Sequence, residues 1–292
     1  MNKKAILATD LSETADLLID CTDQYRALGM DNIALFHALG VSYTNFAGYT
    51  FMDSTKQKLN KLKNQLEDKG FNTEIILKEG QPARELVQFA QEDPESLIII
   101  GTKGMGFAKD VLIGSTADQV LRHGENPILV IQLLDKLEEN DDPAKCEFYC
   151  HEINRNVLFA TDFSEAAEEA FYHFKKQVAP QAEHILLMHV QNREVMKHRE
   201  EAEIKKFNEI DESRLERLKD DLQKSSDAVI DLNITTGVPS QQIIKAISNH
   251  NASLVVMGAQ GRNFISDHIL GSTVRRVIEG GNINTMVIPT TK

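Results

Sequence analysis

The residues best suited to chemistry stand in one glycine frame, GAQGRNFISDHILGST, running from Gly258 to Thr273. Gly258, Gly261 and Gly271 are followed by Ser272 and Thr273, and the same G-x2-G-x9-G-S-T spacing recurs through Gly101, Gly104, Gly114, Ser115 and Thr116. Such a frame suits a phosphate. Glycines let backbone N–H groups approach an anion without a Cβ in the way, and a helix opening at Ser-Thr adds unpaired N–H groups and a favourable dipole. The Ser115 and Ser272 hydroxyls can donate to phosphate oxygens. At glycine's usual share of about 7%, chance produces the pattern on the order of once per 20,000 positions. The competing account is that the glycines only permit tight turns and the serines only cap helices. Between the two copies the intervening residues have diverged, MGFAKDVLI against RNFISDHIL, while the frame has not.

Two carboxylates belong to the same chemistry. Asp10 in ATDLS and Asp162 in ATDFS could meet a ribose or hold a magnesium ion jointly with phosphates. Either could equally be a helix cap. His37 and His189 occupy matching strand ends, LFHA and LMHV, and are read as packing beside the crevice. In CEFYCH, Cys146, Cys150 and His151 are close in sequence, but a C-x3-C pair without a second pair is a weak metal motif. With Cys21 the chain has 3 cysteines, too few for a disulfide framework, so all are read as thiols in a reducing cell. There is no G-x4-G-K-[ST], no G-x-G-x-x-G after the first strand and no G-x-S-x-G elbow. No general base or arginine finger accompanies the frame, so no catalytic residue is assigned.

What positions these residues is a repeat. AILATDLSETA (Ala5–Ala15) returns as VLFATDFSEAA (Val157–Ala167), EGQPARELVQFA (Glu79–Ala90) as TGVPSQQIIKAI (Thr236–Ile247), and LIIIGTKG (Leu97–Gly104) as LVVMGAQG (Leu254–Gly261). Each copy alternates apolar runs with helical spacing. Strands are expected near 5–9, 33–38, 74–77, 97–100 and 128–131, and near 157–161, 185–190, 229–234, 254–257 and 286–288. Leu59, Leu62 and Leu66 mark a helix between the second and third strands of the first copy; Phe207, Ile210, Leu218 and Leu222 mark its counterpart, within a charged stretch from Arg199 to Ser225. Gly-x-Pro precedes a further helix in each copy, proline suiting a first turn. Continuously apolar strands separated by helices imply a parallel sheet covered on both faces. The expectation is α/β: two tandem open five-stranded parallel-sheet, Rossmann-like domains at residues 1–135 and 154–292. Residues 136–153, acidic and containing Pro143, would be the linker.

Composition narrows the partners. A formal net charge of -12 disfavours sequence-independent binding of nucleic acid and docking on an anionic membrane. No stretch approaches 18 uninterrupted apolar residues, so no membrane insertion is expected. A soluble, cytoplasmic protein is the expectation.

A-T-D-x-S after the first strand, G-x-P after the third and G-x2-G-x9-G-[ST] after the fourth resemble the universal stress protein family, in both halves of the chain. The resemblance implies a tandem-domain member with the adenine nucleotide alpha hydrolase-like fold. It further implies dimer-like pairing of the two repeats through their last strands, with a homodimer also open, and a nucleotide-responsive stress regulator of the ATP-binding branch. The ligand would be ATP or AMP, with Mg as a possible companion. Slow ATP hydrolysis and a scaffold without nucleotide are the alternatives. Carried over, the first site comprises Asp10, Gly101, Thr102, Lys103, Gly104, Gly114, Ser115 and Thr116, with adenine near Ala38. The second comprises Asp162, Gly258, Gly261, Gly271, Ser272 and Thr273, with adenine near Val190. Lys103 stands between the glycines of the first copy, where the second has Ala259-Gln260 and then Arg262, so unequal occupancy is open.

Overall fold

The computed structural model describes residues 3–12, 14–40, 48–102, 113–132, 153–192, 200–261 and 270–290. The chain divides into two compact units, Met1–His151 and Glu152–Thr290. Lys103, Gly104, Arg262, Cys146, Cys150 and His151, and nearly all of the expected linker, lie outside the described residues.

In the first unit the elements run β1 (Lys3–Ala8), α1 (Thr14–Asp20), α2 (Thr22–Ala27), β2 (Met30–Leu39), α3 (Gly48–Asp68), β3 (Asn72–Glu79), α4 (Pro82–Ala90), β4 (Leu97–Gly101), α5 (Ser115–His123) and β5 (Ile128–Ile131). The sheet has the order β3-β2-β1-β4-β5 with every pair parallel. The second unit repeats this with β6 (Asn156–Thr161), α6 (Glu165–Gln177), β7 (His184–Asn192), α7 (Glu201–Leu222), β8 (Val229–Gly237), α8 (Pro239–Asn249), β9 (Leu254–Gly258), α9 (Ser272–Gly280) and β10 (Thr285–Ile288). Its order is β8-β7-β6-β9-β10, again parallel throughout. The doubly wound sheets expected from continuous apolar runs are therefore present, and strands such as LIIIG and LVVMG are buried along nearly their whole length.

Helix starts follow local chemistry. Pro82 and Pro239 sit in the first turns of α4 and α8, where a missing N–H is harmless. Gly80 precedes α4 at φ +148, a backbone conformation that L side chains rarely adopt. Ser164 caps α6, its hydroxyl accepting from the Ala167 N–H at 3.2 Å.

The structure adds two details and corrects one expectation, the state of Cys21. The first helix of the first unit is split at Cys21, whereas α6 is continuous. Cys21 is buried and disulfide-bonded, so it is not the thiol that the low cysteine count suggested. In α7, Phe207 and Ile210 share helical spacing with the core leucines but are 39% and 37% exposed; Asp211, Leu215 and Leu222 take the buried positions instead. The helix that this spacing marked is present, and its inward face runs through Asp211, Leu215 and Leu222.

Candidate nucleotide site

In both units the strand order reverses beside the first strand, between β1 and β4 and between β6 and β9. In open parallel sheets, ligands bind in the crevice outside the carboxyl ends of the strands at this switch point. Asp10 follows β1 and Gly101 ends β4; Asp162 follows β6 and Gly258 ends β9. Asp10 and Gly101 are thus brought to one strand-end crevice and Asp162 and Gly258 to the other, with the partly exposed Ala38 and Val190 at the adjacent ends of β2 and β7.

The acidic turns are built alike. The Leu11 N–H donates to Thr9 Oγ1 at 3.1 Å and the Ser12 N–H to Asp10 Oδ1 at 3.0 Å. Phe163 N–H donates to Thr161 Oγ1 at 3.0 Å and Ser164 N–H to Asp162 Oδ1 at 3.0 Å. Each turn forces its middle residue to a positive φ, +60 at Leu11 and +56 at Phe163, a strained state for a side chain other than glycine's. Ser164 Oγ adds a 2.6 Å bond to Asp162 Oδ1 and is itself the cap of α6, so Asp162 orients the turn rather than capping the helix.

The glycine strands are pinned to the helices that follow. The Thr102 N–H donates to the Ile131 carbonyl and the Gly114 N–H to the Thr102 carbonyl; correspondingly, the Ala259 N–H donates to Ile288 and the Gly271 N–H to Ala259. Thr102 is fully buried and acts on the crevice through this backbone link. Gly114 and Gly271 are the N-caps of α5 and α9, and neither helix start has a side-chain cap bond. Ser115 and Ser272 are the first helical residues and are exposed, so they are not caps. A Cβ on Gly261 would stand 2.7 Å from Asp162 Oδ2, so any larger residue there would displace that carboxylate. No group of three His, Cys, Asp or Glu side chains able to hold a metal occurs among the described residues. One carboxylate per crevice nevertheless fits a magnesium ion carried mainly by phosphates.

Around the second crevice lies a cluster that sequence reading missed. Phe163, His189, Gln191, Asp211 and Arg214 form a connected network, and the first unit has different residues at three of the five positions besides the leucine at Phe163's place. Matching Leu59, Leu62 and Leu66 to Leu215, Leu218 and Leu222 sets Thr55 opposite Asp211 and Lys58 opposite Arg214; the strand match sets Leu39 opposite Gln191. That comparison between repeats was the available signal.

A five-stranded parallel sheet with glycine-framed helix starts at its switch point defines a doubly wound, Rossmann-like α/β protein as a class. The universal stress protein family model matches residues 1–132 and 154–289, and the chain belongs to that family. It is 30% identical over 155 residues to universal stress protein MJ0577 of Methanocaldococcus jannaschii, spanning 45% of this chain and 96% of that one. A universal stress protein of Mycolicibacterium smegmatis is 24% identical over 228 residues, 76% of this chain and 70% of its own. The crystal structure of a universal stress protein from Archaeoglobus fulgidus superposes with a TM-score of 0.75 over 98% of both chains at 20% identity, a likeness of fold.

Proposed function

We propose that the chain is a cytoplasmic adenine-nucleotide-binding stress regulator with one site in each unit, taking ATP or AMP. The observation that carries this reading is the pair of helix starts at Gly114-Ser115 and Gly271-Ser272. Both lie after switch-point strands, and the glycine at each N-cap has no side chain to accept from the free N–H groups. Asp10 and Asp162 are the carboxylates offered to a ribose hydroxyl or to a phosphate-bound magnesium ion. Ala38 and Val190 offer apolar contact to the base. Binding energy spent at these loops would bias a partner-facing surface, which is regulation rather than turnover. The same reading takes residues 1–135 and 154–292 as two domains.

The test begins with protein purified without added nucleotide, denatured, and assayed for released adenine nucleotide, followed by calorimetric titration. About two equivalents per chain are expected. Ser115→Asp and Ser272→Asp keep helix-favourable first-turn residues while bringing a negative charge to the anion's position, and each should remove one equivalent. Absence of release together with no binding up to roughly millimolar ATP, the weakest range of specific affinity, would overturn the proposal.

No helix among the described residues is long and apolar enough to cross a membrane.

A further inference from the structure

One imidazole touches both chain neighbours of Asp162. The carbonyl of Thr161, the residue before it, accepts from His189 Nδ1 at 2.8 Å. Phe163, the residue after it, lays its ring 4.5 Å from the His189 ring. A further contact comes from α7, whose Arg214 guanidinium stands over the Phe163 ring at 5.2 Å. Arg214 Nη1 is itself 3.4 Å from Asp211 Oδ1, and Asp211 Oδ2 accepts from Gln191 Nε2 of β7 at 3.0 Å. Strand β7 and helix α7 thus converge on one half-buried side chain, that of the residue next to the site carboxylate.

That residue needs support. Phe163 holds φ at +56, a conformation that costs an L-residue free energy and persists only where the surroundings over-determine it. Were the ring released, the backbone at Phe163 would relax towards negative φ, and the peptide joined to Asp162 would turn with it. The two hydrogen bonds inside the turn do not distinguish the repeats, because Thr9 and Asp10 make the same pair that Thr161 and Asp162 make. The ring contacts do. In the first unit His37 makes the same 2.8 Å contact with the Thr9 carbonyl, but Leu11 has no π face to offer a histidine or a guanidinium. The exposed Lys58 stands where α7 has Arg214.

We propose that Phe163 is a positioning residue of the second site: its ring, held by His189 and Arg214, fixes the Asp162 turn in the conformation that a ligand meets. The second site consequently binds more tightly than it would with the leucine of the first. For its ligand this statement rests on the nucleotide reading above; the braced turn does not depend on that reading. A carboxylate already held in place loses less freedom on binding, and affinity rises by that saving. Phe163 acts through the backbone of its neighbour and needs no contact with the ligand.

Backbone amide NMR relaxation on the wild-type chain tests the brace without any ligand. Order parameters at Asp162 and Phe163 should be about 0.85, the rigid-backbone value, and those at Asp10 and Leu11 lower. Phe163→Leu should bring the second turn down to the level of the first, whereas Phe163→Tyr, which keeps the ring, should leave it unchanged. Equal order in the two wild-type turns overturns the proposal, even if the variants fail to fold. Calorimetric titration with ATP reads the consequence, in a Ser115→Asp background so that the second site alone reports. There Phe163→Leu should weaken binding roughly two- to fivefold, the worth of one cation–π contact. Arg214→Gln should act in the same direction, and Phe163→Tyr should bind like its parent. Unchanged affinity in Phe163→Leu overturns the positioning role. A wild-type chain that binds no ATP at all, yet keeps a second turn whose order depends on Phe163, would remove the nucleotide reading and leave the brace standing.

Discussion

Tyr25 lies in α2, fully buried, with its hydroxyl donating to the Leu18 carbonyl at 3.1 Å. Burial pushes its phenol above the ordinary value of 10.0, since a phenolate there would be desolvated without a cation. The contribution is therefore fully present below pH 10 and lost as pH rises towards the folded value, because the unfolded chain ionises first. Tyr25→Phe should cost about 1 kcal/mol at neutral pH, the typical worth of a buried hydrogen bond, and should reduce the alkaline fall in stability. Denaturant unfolding of both proteins above and below pH 10 checks this; parallel curves would refute it. At this scale the sequence reads unevenly. Asp10, Asp162 and the glycines are legible because their spacing is local and repeated. Asp211 is not, since its partners Gln191 and His189 lie 20 and 22 positions away and nothing in a helical charge run marks a carboxylate that turns inward. The positive φ of Leu11 and Phe163 is equally silent, because neither is a glycine.

Among the elements, α4 and α8 show how the same part can be packed differently. Phe89 of α4 packs on Phe36 of β2 at a centroid distance of 5.8 Å, with the Lys4 ammonium 4.9 Å over its ring. Lys4 in turn pairs with Glu74 of β3 at 2.8 Å. In the second unit Ala246 holds the position of Phe89, and Asn156 that of Lys4. The second unit instead concentrates its aromatic rings under α6, where Phe159 stacks on Phe174 at 4.8 Å. Phe89→Ala should then cost about 3 kcal/mol, the usual range for deleting a buried ring. A urea midpoint shift below what about 1 kcal/mol produces would show that α4 settles without it. The parallel strands and their order of appearance were readable from apolar runs and the Gly-x-Pro starts. The split at Cys21 was not, because TADLLIDCTDQYRA continues a helical pattern through the break. There the Thr22 hydroxyl bonds back to the Ile19 carbonyl at 2.6 Å, the kind of local competition that bends helices.

For the whole molecule, a net charge of -12 sets a field that opposes the approach of any polyanion. Raising ionic strength from about 0.01 M to about 0.1 M shortens the screening length from roughly 30 Å to roughly 10 Å. The association rate of ATP should consequently rise with salt, measured by stopped flow. A falling rate would mean that the local field at the helix starts outweighs the bulk charge. The duplication is visible in sequence at this scale because its apolar strands and glycine frame survive; what the divergence between the copies does to their packing emerges only when side chains are set in their places. One feature of the backbone dates that divergence. Leu11 and Phe163 share the same costly twist, at φ +60 and +56, although one side chain is branched aliphatic and the other aromatic. A shape carried by both copies descends from their single ancestor, while the carboxylate and guanidinium around Phe163 arose or survived in one lineage alone. The chain thus keeps two descendants of one ancestral loop side by side, and each is the natural reference against which the other's history can be read.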